Sequence, residues 1–147
     1  MNLRIEIDEQ LQDTEIIIRA AKADDALAQL KAHIAQFCTP KLLFYKEKQE
    51  VYLEESDILF IETMGERVHA HTKHDLFEGR YRLYELESRL TQRFSRIAKA
   101  TIVNTAHIYA IDRNLTGASQ IHFSGTHKSV YVSRHYYKTL KMKMQGE

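Results

Sequence analysis

Ile58-Leu59-Phe60-Ile61-Glu62-Thr63 is a near-continuous apolar run, short and rich in residues that favour strands. A run of this kind reads as a strand that belongs in the core. Short strand signals surround it. Residues 41–46 and 50–53 precede it, with Gln49-Glu50 near the turn between them. Residues 67–73 (RVHAHTK) alternate, and 75–79 lead into a helix over about 82–90. On that helix Leu83, Leu86 and Leu90 share a face, with Glu85, Glu87 and Arg89 outside. Further strands are expected at 94–97, 101–103, 108–111, 119–123 and 129–132. Turn residues at 114–117 and Ser124-Gly125 separate the later ones. A final helix runs from Arg134 to about Met144. Many short strands with turns between them predict a mainly β architecture with small helices.

The first 40 residues read differently. Leu3, Ile5 and Ile7 alternate with Arg4, Glu6 and Asp8, and 15–19 (EIIIR) is a second strand candidate. Ala26, Leu27, Leu30, Ile34 and Phe37 then recur at helical spacing, with Asp24 or Asp25 able to cap the start and Thr39-Pro40 to stop it. Residues 1–40 thus form an expected β-β-α extension, and 41–147 the main domain.

Charge is unevenly distributed. Residues 89–147 hold ten Lys or Arg and two acids, Asp112 and Glu147, a local balance of +8. The whole chain carries +1, so residues 1–88 carry −7. Basic residues interleaved with strand-like runs are displayed on a fold, which suits a polyanion such as nucleic acid. The 44% hydrophobic fraction supports a real core, and one Pro with five Gly leaves no low-complexity linker. No signal-peptide core or stretch of spanning length is present. Cys38 is the only cysteine, so no internal disulfide can form and a reducing, cytoplasmic setting is expected. Its expected use is as a small buried residue.

Enzymatic signatures are missing: there is no G-x-S-x-G, P-loop or H-E-x-x-H. His69, His71 and His74 cluster, and His69 and His71 share a strand face, but zinc would need further ligands and no Cys is near. A pH-sensing use of these histidines has no other support. Glu54 and Glu55 read as solvated loop charges, and Asn104 as a structural residue that pairs with backbone. No metal or cofactor is implied.

Four ordered blocks resemble the LytTR domain, the DNA-binding module of many bacterial response regulators. They are Asp57-Ile58-Leu59-Phe60-Ile61-Glu62, the run from Tyr81 to Glu87 (YRLYELE), the run from Phe94 to Asn104 (FSRIAKATIVN), and Val132-Ser133-Arg134 followed by Tyr136 and Tyr137. Ala100 stands where the family commonly has serine, which removes one hydroxyl from the expected DNA face. The resemblance implies an elongated stack of small, mostly antiparallel sheets with short helices, without a helix-turn-helix. It also implies that loops at one edge enter successive major grooves. The loop candidates are Glu66 and Arg67, then Arg96 and Lys99, then Ser133 and Arg134.

Residue chemistry agrees with that implication. Arg can contact guanine bidentately, and Lys serves as a point charge. Arg134 lies at a helix start, and Ser133 can cap the helix or donate to phosphate. Arg96 can instead brace an acid such as Glu62. Lys138, Lys141 and Lys143 read as charges for the nucleic-acid backbone. Forty N-terminal residues are too few for a phosphorylatable receiver domain. The chain therefore resembles stand-alone LytTR regulators, in which a membrane-protein inhibitor encoded alongside often holds the regulator. The apolar stripe of the N-terminal helix can pack in cis, dimerise or meet a partner. The functional expectation is a sequence-specific, non-enzymatic transcriptional regulator that binds double-stranded DNA as a homodimer on repeated half-sites. The competing expectation is an anti-regulator, a protein-interaction module that keeps the fold without DNA contacts.

Overall fold

The computed structural model describes residues 2–12, 14–38 and 41–146. The chain divides into two compact units, residues 1–36 and 37–147.

Helix α1 (Asp25–Cys38), most of which lies in the first unit, forms as its periodicity requires. Asp24 starts it, its Oδ1 accepting from the Leu27 N–H at 3.0 Å. The expected stop at Thr39-Pro40 lies outside the described residues. Leu27, Leu30 and Ile34 are half-buried, whereas Ala26 is exposed. The two expected strands do not form, for no described residue before α1 joins a ladder. Leu3, Ile5 and Ile7 are 90%, 77% and 90% exposed. Alternation favours a strand only when a neighbouring strand takes its backbone hydrogen bonds.

The second unit is built on a seven-stranded sheet of order β2-β1-β5-β4-β3-β7-β6. Its strands are β1 (Leu42–Lys46), β2 (Gln49–Leu53), β3 (Phe60–Met64), β4 (Arg67–His71), β5 (Leu76–Gly79), β6 (Phe94–Ala98) and β7 (Thr101–Asn104). A three-stranded sheet of order β10-β9-β8 contains β8 (Ile108–Asp112), β9 (Ser119–Phe123) and β10 (Ser129–Val132). Every pairing is antiparallel. Two helices complete the unit, α2 (Leu83–Arg89) and α3 (Arg134–Met144).

The apolar run at 58–63 works because the middle of the larger sheet is covered on both faces. On β3, Ile61 enters a core with Phe44, Val68, Ile102 and Leu86 of α2, while Phe60 enters a second core with Val103, Ile121, Phe123 and Leu140 of α3. Adjacent residues of one strand point to opposite faces, so Phe60 and Ile61 both have to be apolar, while Glu62 and Thr63 beyond them are less buried. Ile102 and Val103 repeat the arrangement on β7. Each fully buried side chain of this kind contributes about 1.5–3 kcal/mol. Phe60 and Phe123 stack at 5.6 Å, joining the two sheets through the second core.

Several local expectations change. Within the stretch 75–79 that reads as a lead into a helix, Leu76–Gly79 form β5. Its last residue, Gly79, lies so close to Phe44 that a Cβ there would sit 2.7 Å from the ring. The first hairpin turns at Glu47-Lys48, directly before Gln49 and so near Gln49-Glu50 as expected, with Glu47 at φ 55°. Glu55 is buried, not solvated. Its carboxylate accepts from the Thr91 N–H at 3.0 Å and the Thr91 hydroxyl at 2.8 Å. Asn104 has the structural role expected of it: fully buried, it donates to the Glu55 and Ile58 carbonyls at 3.1 and 3.0 Å and accepts from the Ala106 N–H.

Candidate nucleic-acid interface

Three connections meet along one edge of the second unit. Gly65-Glu66 is the two-residue turn joining β3 to β4, and Gly65 adopts φ 64°. That positive φ at the first turn position suits the twist of a tight hairpin. Lys99-Ala100 joins β6 to β7, and Ser133 joins β10 to α3. Two backbone hydrogen bonds tie them together. The Thr63 N–H donates to the Ala100 carbonyl at 2.9 Å, and the Ser133 N–H donates to the Ile97 carbonyl at 2.8 Å. The middle connection is therefore held on both sides by main chain.

The site residues differ in how free their charges are. Arg134, Lys138 and Lys141 are exposed on α3, and Lys99 is exposed in its turn. None of these four forms an ion pair among the described residues. Glu66 is exposed at its hairpin tip. Arg67 faces Glu78 across the β4–β5 ladder at 3.4 Å, with about half its side chain exposed. Arg96 is committed to the fold, but through Glu87 rather than Glu62. It donates to the Glu87 carboxylate at 2.7 Å, to the Ala98 carbonyl at 3.0 Å and to the Lys99 carbonyl. The guanidinium thus clamps the turn that presents Lys99. Glu62 instead accepts from His71 at 2.8 Å.

Two further expectations need revision. Ser133 occupies the N-cap position of α3, yet its hydroxyl makes no cap hydrogen bond and is buried without a partner among the described residues. Lys143 is turned inward, donating to the Phe94 carbonyl at 2.6 Å, and burial lowers its pKa. It is not a free backbone charge as Lys138 and Lys141 are.

Arg113 was not visible as a candidate in the sequence, where its segment reads only as a turn. It begins the β8–β9 loop and stacks over the Tyr137 ring, its guanidinium carbon 4.4 Å from the ring centre. Arg113, Asn114, Gly117, Ser119, Arg134 and Tyr137 line a shallow pocket of about 180 Å³. It therefore has two guanidinium-bearing residues and no acid in its lining. The signal available in the sequence was a basic residue in a Gly-containing loop, which is common on surfaces.

The histidines have mixed surroundings. His69 and His71 share a face of β4, half-buried, as their spacing requires. His71 stacks on Phe60 at 4.1 Å, and burial lowers its pKa against the opposing pull of Glu62. Among the described residues no three His, Cys, Asp or Glu side chains are grouped to hold a metal ion.

Comparison with known proteins identifies the class. The profile of the LytTr DNA-binding domain matches residues 48–145, and the chain belongs to this family. The second unit has the same fold as the LytTr DNA-binding domain of a protein described as a methyl-accepting/DNA response regulator from Bacillus cereus. That match has a TM-score of 0.65 and 20% identity, and covers 74% of this chain and 98% of that one. Uncharacterized HTH-type transcriptional regulators from Staphylococcus aureus strains MSSA476 and MW2 are each 28% identical over 145 residues, 98% of both chains. The HTH in those names does not describe the present fold, in which five strands separate α2 from α3. No described helix is long and apolar enough to cross a membrane.

Proposed function

We propose that the protein is a sequence-specific transcriptional regulator that binds double-stranded DNA without catalysing a reaction. The observation that carries this reading is the gathering of three connections on one edge, with Lys99 and Arg134 unpaired beside two of them. Loops so arranged can enter successive major grooves of a duplex. Arg134 reads a base, and Lys99 contacts phosphate or a base edge. Lys138 and Lys141 neutralise the DNA backbone. Glu66 and Arg67 form the third contact region, and Arg96 contributes by fixing the Lys99 turn. Residues 1–40 join two protomers on repeated half-sites or receive a protein partner, of which a membrane-protein inhibitor encoded alongside is one form. The anti-regulator reading is disfavoured because it gives no use to Lys99 and Arg134, which are exposed and form no ion pair among the described residues.

Selection of bound duplexes from a random pool tests the reading. Enrichment of a repeated motif is the expected outcome. Recovery of an unenriched pool would support the anti-regulator instead.

A further inference from the structure

We propose that Arg113 is a phosphate contact, set in place by Tyr137, that grips the DNA backbone beside the base read by Arg134. The inference rests on the DNA-binding reading above and adds a residue and a positioning device to it.

The geometry supplies the reasons. Arg113 and Arg134 come from different elements, the β8–β9 loop and the start of α3, and line one pocket. Neither has an ion-pair partner among the described residues. The acid adjacent in sequence, Asp112, is engaged elsewhere, its carboxylate 2.7 Å from His122 on β9. Two cations sharing a concave surface repel each other until an anion enters. Stacking on Tyr137 leaves the in-plane N–H groups of a guanidinium free, and their fork matches two phosphate oxygens. It also restricts a long side chain before binding, so less freedom is lost when the contact forms. A side chain that reaches a base edge from the major groove has the flanking phosphates close beside it, so the second cation of the pocket meets the backbone. Tyr137 is a positioning residue here: it packs on the second core and offers its ring to Arg113.

The test compares full-length variants on a duplex selected by the wild-type protein and on a scrambled one, across salt. Arg113→Ala should weaken both duplexes by a similar factor and keep the base preference. Its slope of log K against log salt should be shallower by about 0.9, the loss of one neutralised phosphate. Tyr137→Leu should reproduce part of that weakening, and Tyr137→Phe, which keeps the ring, should restore wild-type binding. Far-UV circular dichroism would confirm that each variant is folded. Wild-type affinity and slope for Arg113→Ala, with Arg134→Ala still impaired, would overturn the inference and leave the regulator reading standing. Equal weakening by Tyr137→Phe and Tyr137→Leu would overturn the positioning role. Failure of the wild-type protein to select any duplex would remove both.

Discussion

Single residues on the candidate interface divide by whether the fold already uses their charge. Arg96 is used: Glu87 and two carbonyls occupy its guanidinium. Arg134 is not, so its donors remain available to a partner. Arg134→Ala should therefore relax preference at one base pair of each half-site, a discrimination of roughly 1–3 kcal/mol. Lys138→Ala should weaken all sequences about equally. Parallel titrations of cognate and single-mismatch duplexes would separate the two patterns, and wild-type discrimination by Arg134→Ala would refute the assignment. His71 gives a pH dependence. Above its ordinary value of 6.5 both folded and unfolded states are neutral at this residue. Below that value the unfolded chain takes up a proton that the buried ring resists, so the stability it contributes falls as pH falls. Denaturant midpoints should drop between pH 7.5 and 5.5, and His71→Gln should flatten the change. An unchanged wild-type midpoint would contradict this. What sequence reading missed at this scale is the partner of each charge. Glu55 is buried because Thr91, 36 residues later, donates to it twice. Nothing near Glu55 in sequence signals that.

Elements were more legible than their charges. Strands β9 and β10 and helix α3 begin and end where patterning and turn residues place them. The four-residue β5 escaped because it is too short to show a period and runs into a helix signal. The alternation before α1 overstates its strand character, since it has no described neighbour to pair with. β5 also carries a packing constraint at its end. Gly79→Ala should destabilise the protein by about 1–3 kcal/mol, because its methyl group would meet the fully buried Phe44 ring. Chemical denaturation would measure it. A neutral result would mean that Phe44 repacks, and a double variant with Phe44→Leu would then show no recovery of stability.

At the scale of the molecule, the charge boundary falls inside the second compact unit and not between the two. Residues 1–88 carry −7 and 89–147 carry +8. Leu30 is half-buried on α1, and several apolar residues before that helix are exposed. If residues 1–40 join protomers, Leu30→Glu should shift a dimer toward monomer in sedimentation. A chain of residues 41–147 should keep half-site preference yet bind a two-site duplex more weakly, because linked sites gain effective concentration. Unchanged sedimentation of Leu30→Glu would remove α1 from the protomer contact.

The most direct test is titration of the selected duplex and a scrambled duplex between 50 and 200 mM salt. Sequence-specific recognition through unpaired cations predicts a slope of several units, about −0.9 per neutralised phosphate. It also predicts that at physiological salt the selected duplex binds at least ~10³-fold tighter than the scrambled one. A slope near zero, or equal affinity for the two duplexes, would contradict it.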